Sequence, residues 1–152
     1  METLVHGTCV ALGGSCALLC GMPGAGKSDL ALRFLFLPSD ALGGRPALVA
    51  DDQVLLRRIG DHVVASCPPI LSGRIEVRGS GIARAGAVTA KARLTIVADL
   101  DGSASTPRFP ENDQWKSILG LPIRRIVLDP FEISAPIKLA LALQNVLEDR
   151  GD

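Results

Sequence analysis

A glycine-rich segment, placed between an apolar run and a helical pattern, constrains this sequence more than any other feature. It reads Gly21-Met22-Pro23-Gly24-Ala25-Gly26-Lys27-Ser28 and matches the spacing G-x4-G-K-[ST]. The glycines allow backbone angles that aim successive N–H groups at an anion, and a following helix adds the positive end of its dipole. The spacing predicts a nucleotide-binding P-loop in which Lys27 meets the β- and γ-phosphates and Ser28 binds Mg²⁺.

The patterns around this loop predict an α/β fold. Residues 4–12 and Ser15–Cys20 are β-type runs joined by Gly13-Gly14, which is a hairpin signal. Residues 28–37 predict a helix that ends before Pro38. Later runs predict strands over 46–50, 54–57, 62–66, 75–78, 93–100 and 123–128, and a terminal helix over 136–147. We expect one domain over residues 1–152, a P-loop kinase core with a mixed, partly antiparallel sheet.

Composition and charge exclude several classes of protein. Lys plus Arg and Asp plus Glu both number 16, whereas a sequence-independent nucleic-acid binder usually has a large basic excess. No apolar segment is long enough to span a bilayer, and no basic region precedes the first apolar run, so we expect a cytoplasmic protein. The cysteines form no C-x-x-C pair and are predicted to be small buried side chains: Cys9, Cys16, Cys20 and Cys67.

Two adjacent carboxylates follow the apolar run that ends at Ala50. A P-loop enzyme needs an acidic residue at the end of a neighbouring strand to anchor its metal, and Asp51 and Asp52 stand at such a position. Adjacent side chains of an extended segment point in opposite directions. One carboxylate can therefore face Mg²⁺ while the other accepts a proton from a substrate hydroxyl. The alternative is an ordinary strand-end turn, where Asp is common.

Charged and apolar residues alternate in residues 73–82. The alternation places Arg74, Glu76 and Arg78 on one face of a strand. This face is either a solvent-exposed row of salt bridges or part of a phosphate site, in which Glu76 binds the metal and the arginines bind phosphate.

Together these segments resemble the kinase core of the bacterial HPr kinase/phosphorylase family. The resemblance rests on Val5-His6-Gly7, the P-loop, Asp51-Asp52 and residues 71–82, and it covers residues 4–100 well and the remainder loosely. It implies an enzyme that uses ATP to phosphorylate a serine of HPr, the phosphocarrier protein of the sugar phosphotransferase system. It also implies removal of that phosphate by inorganic phosphate, which releases pyrophosphate.

The resemblance also implies roles for individual residues. Asp51 matches the family's catalytic base, which becomes the acid in the reverse direction, and His6 matches a histidine near the catalytic Asp. Asp52 and Glu76 match acids on the metal side, beside Ser28. The family forms hexamers, so we expect a homo-oligomer with the terminal helix near a subunit boundary.

The sequence departs from the family at two places. It begins almost at His6, which looks like a short form without the N-terminal domain that many members carry. The loop before the last helix, residues 129–138, contains no arginine where the family often has one. Lys138, Arg124 and Arg125 are the candidate substitutes, and Lys138 joins Arg78 as a candidate phosphate or partner contact.

Two other functions fit the P-loop. A kinase of a small metabolite usually carries a substrate-binding insertion with an arginine-bearing lid, and the only candidate here is residues 101–113 with Arg108. A non-catalytic nucleotide sensor would tolerate the loss of an acidic residue. The presence of Asp51, Asp52 and Glu76 together favours an enzyme over such a sensor.

Overall fold

The computed structural model describes residues 1–38, 42–69, 74–77, 81–84, 87–102 and 114–148. These residues form eleven strands and two helices. The strands are β1 (Glu2–His6), β2 (Thr8–Leu12), β3 (Ser15–Cys20), β4 (Pro46–Ala50), β5 (Gln53–Ile59), β6 (His62–Ser66), β7 (Arg74–Val77), β8 (Gly81–Arg84), β9 (Lys91–Leu100), β10 (Trp115–Ile118) and β11 (Leu121–Leu128), and the helices are α1 (Lys27–Leu35) and α2 (Ala135–Glu148).

The main sheet is mixed, as the sequence predicted. Its strand order is β1-β5-β6-β9-β3-β2-β4, with β11 also beside β9 and β10 beside β11. Strand β9 pairs parallel with β3 and β11, and β4 is related to β3 through two antiparallel pairings with β2. Strands β3, β4, β9 and β11 therefore run in one direction and end at one edge, which we call the carboxyl edge. Ligands of open α/β sheets bind at this kind of edge.

The first apolar run forms two strands instead of one. Strand β1 pairs with β5, whereas β2 pairs with β3 through the predicted Gly13-Gly14 hairpin. The break falls at Gly7, where a Cβ would lie 2.9 Å from the carbonyl oxygen of Leu19. Only glycine lets the chain pass this close to the end of β3.

The helices cover one face of the sheet. Helix α1 buries Leu30, Ala31 and Phe34 there, beside Leu139 and Leu143 of α2. The side chain of Phe34 is fully buried, and truncating such a residue to Ala typically costs about 3–5 kcal/mol. A second apolar cluster fills the other face of the sheet, with Cys9, Leu18, Val49, Leu56, Val63, Leu94 and Val97 among its members. The core on both faces fixes the strand ends that carry the site.

Strands β7 and β8 form a separate two-stranded sheet. Strand β7 begins one residue before the predicted run, and its Ile75 is buried in the helix-side core. The alternation from Ile75 places Arg74 on the exposed side. Two short strands, β8 and β10, were not predicted. None of the helices in the described part of the chain is long and apolar enough to cross a membrane.

Candidate functional site

The P-loop follows β3 directly at the carboxyl edge. Gly24 and Gly26 have φ angles of 83° and 96°, a region that side chains other than glycine rarely adopt. The amide of Ala25 donates to the carbonyl of Met22 at 2.9 Å, and α1 begins at Lys27. Gly26 is the residue that precedes the helix. In the described part of the chain, the first turn of α1 receives no capping hydrogen bond from a side chain at this position. Its first N–H groups are therefore suited to an anion.

The ammonium group of Lys27 lies against the backbone at the start of the P-loop. Its Nζ donates to the carbonyl oxygens of Gly21 at 2.7 Å and Met22 at 3.1 Å. Phosphate oxygens can replace these carbonyls as acceptors, and charge-assisted hydrogen bonds to phosphate are stronger than those to a neutral carbonyl.

Asp51 lies at the centre of a buried cluster beside the P-loop. It is 8% exposed, and its Oδ1 accepts hydrogen bonds from Ser28 Oγ and Thr8 Oγ1, both at 2.8 Å. Thr8 is the first residue of β2, which begins at the carboxyl edge between the ends of β3 and β4. We call Asp51, Thr8 and Ser28 the buried carboxylate cluster. Thr8 has no local signature in the sequence, because its contact with Asp51 spans 43 residues.

Asp52 points out of the protein and faces a different residue. Its φ is 71°, and the amide of Gln53 donates to the carbonyl of Asp51 at 2.9 Å, as in a γ-turn of the rare positive-φ kind. The amide of Gly7 holds the carbonyl of Asp52 at 3.0 Å. The two carboxylates diverge because of this turn, and not because of the strand alternation that the sequence suggested. Such strained positions are concentrated at functional sites.

His6 lies beside Asp52 instead of Asp51. Its Nδ1 is 4.0 Å from Asp52 Oδ1, and the two side chains are 83% and 78% exposed. We call His6 and Asp52 the exposed pair. The sequence had placed this histidine near the catalytic acid while assigning that role to Asp51. In the structure, β1 brings His6 to the turn beside Asp52, while Asp51 is turned inward. Which of the two carboxylates is the catalytic one stays a prediction.

The oxygen atoms of the buried carboxylate cluster suit Mg²⁺. This ion is usually bound through one or two carboxylates together with phosphates and water, and the Ser28 hydroxyl and Asp51 carboxylate are hard oxygen donors 2.8 Å apart. No group of three His, Cys, Asp or Glu side chains that could hold a metal occurs among the described residues. The donors therefore fit a metal that is shared with substrate phosphates better than one held by protein alone. The backbone of Glu76 lies in β7, and its side chain is outside the described residues.

The basic residues that were predicted to contact phosphate or a partner lie in different parts of the structure. Lys138 pairs with Glu132 at the start of α2, and Arg125 pairs with Asp99. Arg124 lines a cavity of about 270 Å³ with Trp115, Arg93 and other residues near the beginnings of β9 and β11, away from the carboxyl edge. Arg78 lies outside the described residues.

The prediction of buried cysteines is confirmed for two of the four. All four are free thiols; Cys9 and Cys16 are buried, and Cys20 and Cys67 are partly buried. Burial raises the pKa of the Cys9, Cys20 and Cys67 thiols, and the negative charge of Asp51 adds to the effect at Cys67. A raised pKa keeps these thiols protonated and therefore weakly nucleophilic.

Comparison with known proteins agrees with the fold and with the sequence pattern. The family described as HPr Serine kinase C-terminal domain matches residues 1–134. The HPr kinase/phosphorylase of Bordetella petrii is 32% identical over 97% of this chain and 48% of its own length, and that of Alkaliphilus metalliredigens is 32% identical over 95% and 45%. The chain thus spans about half the length of these relatives.

A solved structure supports the same architecture. The HPr(Ser) kinase/phosphatase from Coxiella burnetii superposes with a TM-score of 0.78 at 22% identity, over 98% of this chain and 93% of that one. This similarity concerns the fold alone. Since the family match covers residues 1–134, the chain belongs to the HPr serine kinase C-terminal domain family.

Proposed function

We propose that this protein is a kinase that transfers the γ-phosphate of ATP to a serine of HPr. The observation that carries the proposal is that two adjacent carboxylates at the P-loop have different surroundings. Asp51 is buried against Ser28 of the P-loop, while Asp52 is exposed one residue later, where a protein substrate can reach it. The names of the related proteins supply the acceptor, HPr.

The geometry favours an exchange of the two roles that the sequence suggested. Asp51 accepts a hydrogen bond from Ser28, which orients the hydroxyl oxygen towards a metal. Asp52 has no such constraint from the P-loop and lies beside His6. We therefore assign the catalytic base to Asp52 and the metal side to Asp51, with Glu76 retained as a second candidate on the metal side.

The transfer then proceeds by positioning and proton acceptance. Lys27 and the first N–H groups of α1 bind the phosphates. Mg²⁺, when bound, neutralises part of their negative charge. The serine oxygen forms a bond to the γ-phosphorus while the bond from that phosphorus to the oxygen bridging it to ADP breaks. The serine proton passes to Asp52. The imidazole of His6, 4.0 Å from Asp52 Oδ1, lies beside this carboxylate and helps to position it.

The same residues suit the reverse reaction with inorganic phosphate. Phosphate attacks the phosphorus of phosphoserine, pyrophosphate is released, and protonated Asp52 returns its proton to the serine oxygen. The residues described between Asp129 and Lys138 include no arginine, and Lys138 is paired with Glu132. We therefore propose the kinase direction as the main activity and phosphorolysis as the slower one.

The decisive experiment is incubation with Mg-ATP and purified HPr, followed by mass spectrometry of the acceptor. We expect one phosphate on a serine of HPr with the parent protein. Lys27→Ala removes the cation of the loop, so it should weaken Mg-ATP binding about tenfold or more, since one charge-assisted contact contributes roughly 1.5–3 kcal/mol. ATP binding by the parent without any phospho-HPr would favour the nucleotide sensor, and phosphorylation of a small metabolite would favour the other kinase.

We also propose that the chain assembles as a homo-oligomer through α2. Ile137 and Leu141, one turn apart on this helix, are each 49% exposed, and Ile133 just before it is 95% exposed. Burying such a row between subunits removes apolar surface from water. Light scattering at high protein concentration tests the proposal, and a monomer would contradict it.

A further inference from the structure

An aromatic side chain stands exposed beside the P-loop. Phe131, in the loop that joins β11 to α2, is 67% exposed. A Cβ built on Gly26 of the P-loop would lie 3.5 Å from Phe131 Cε1, and one built on Gly102, just after β9, would lie 3.2 Å from Phe131 Cε2. One side of the ring therefore rests against backbone at the carboxyl edge, while most of its surface faces solvent.

The backbone around Phe131 is tied to the helix that follows the P-loop. The amide of Phe131 donates to Asp129 Oδ1 at 3.0 Å. The guanidinium of Arg33, on α1, donates to the carbonyl of Glu132 at 3.2 Å and to that of Pro130. Arg33 also pairs with Asp29 one turn earlier in α1. The exposed ring is thus held at a fixed position relative to the P-loop.

We infer that the Phe131 ring is the platform on which the base of the bound nucleotide stacks. The inference rests on the proposed function, because the P-loop must hold the phosphates for the base to lie nearby. A nucleotide anchored by its phosphates in the loop extends its base across neighbouring surface of the carboxyl edge, and a flat base gains most from an aromatic face.

The other aromatic residues in the described part of the chain are poorly placed for this role. The chain has four Phe, one Trp and no Tyr. Phe34 is buried, Phe36 follows the far end of α1, and Trp115 lines the cavity away from the carboxyl edge. Phe109 lies outside the described residues. Stacking reads no hydrogen-bond pattern, so the platform should accept adenine and guanine alike.

Calorimetry with two ligands separates base binding from phosphate binding. Mg-ATP carries a base, whereas Mg-tripolyphosphate offers only the phosphate chain. We expect Phe131→Ala to weaken Mg-ATP binding about fivefold or more, in line with the usual contribution of a base–aromatic stack, and to leave tripolyphosphate unchanged. Phe131→Trp should keep the ATP affinity, because it keeps an aromatic face. Phe36→Ala is the matched control, since it removes an exposed ring just after the far end of α1 and should affect neither ligand.

Each other outcome overturns the inference in a recognisable way. If Phe131→Ala leaves ATP affinity at the parental value, the ring does not contact the base. If it weakens ATP and tripolyphosphate equally, Phe131 only supports the P-loop. If it slows transfer to HPr with unchanged ATP affinity, the ring belongs to a protein-docking surface. A parent protein that binds neither ligand would overturn the phosphate cradle, and the platform with it.

Discussion

The buried carboxylate cluster and the exposed pair contain the same chemical group one residue apart, yet they differ in almost every physical respect. Asp51 is held by two hydroxyl donors at 2.8 Å inside the sheet edge. Asp52 is exposed, and its carboxylate lies 4.0 Å from His6 Nδ1. A group fixed by short hydrogen bonds is suited to orienting a ligand of the metal, whereas an accessible carboxylate is suited to exchanging a proton with a second protein. Adjacent residues of one type can therefore occupy very different environments, which suits them to different roles.

The largest expected effect comes from Asp52→Asn. Asn tolerates the positive φ at this position and keeps the size of the side chain, but its amide cannot accept the serine proton. Transfer to HPr should fall by roughly 10²–10⁴, the usual contribution of general-base catalysis. Mg-ATP affinity, measured by calorimetry on the same sample, should stay at the parental value. Transfer at the parental rate would remove Asp52 from the chemistry.

Asp51→Asn should show the opposite failure. The neutral amide holds the Ser28 hydroxyl less strongly, and one charge-assisted contact contributes roughly 1.5–3 kcal/mol. The Mg²⁺ concentration needed for ATP binding should therefore rise about ten- to a hundredfold in a calorimetric titration. If Asp51→Asn binds Mg-ATP normally and transfers no phosphate, while Asp52→Asn loses binding, the assignment based on sequence is the right one.

Thr8→Val tests whether the cluster also stabilises the fold. The substitution keeps the shape of a buried side chain and deletes its hydrogen bond to Asp51. The free energy of unfolding in a denaturant titration should drop by about 1.5–3 kcal/mol, as for other hydrogen bonds to charged groups. Thr89→Val is the control, because the Thr89 hydroxyl is only half-buried and donates at 3.4 Å, so its loss should stay within about 0.5 kcal/mol. An equal loss of unfolding free energy in both variants would show that the buried carboxylate cluster does not stabilise the fold more than an ordinary surface hydrogen bond.

The smallest effect is expected for His6→Gln. The His6–Asp52 pair is exposed, and exposed ion pairs contribute little, so the transfer rate should fall by no more than about fivefold. A fall as large as that of Asp52→Asn would show that the histidine itself takes part in proton transfer.

Local patterns predicted many of the elements that carry the site. The Gly13-Gly14 hairpin, the helix after the P-loop and the strand that ends at Ala50 all appear in the structure. Strands β3 and β4 have the bounds that the sequence predicted. These signals depend on turn residues, apolar periodicity and loop glycines, which act over a few residues. Strand β8 escaped prediction because half of it is Gly and Ala, which have a weak preference for strands. Strand β10 escaped prediction because it shows no regular alternation.

Local sequence patterns are enough to predict the P-loop, its flanking strand and helix, and two acidic residues at a strand end. The tertiary structure alone decided which Asp is turned inward, which residue faces His6, and that Thr8 and Phe131 lie at the same edge. The reason is physical. A loop's backbone preferences are encoded in its own glycines, whereas the partner of a side chain depends on which distant strands pair around it. Here the pairing of β1 with β5 and of β2 with both β3 and β4 brings His6, Thr8 and the two carboxylates together.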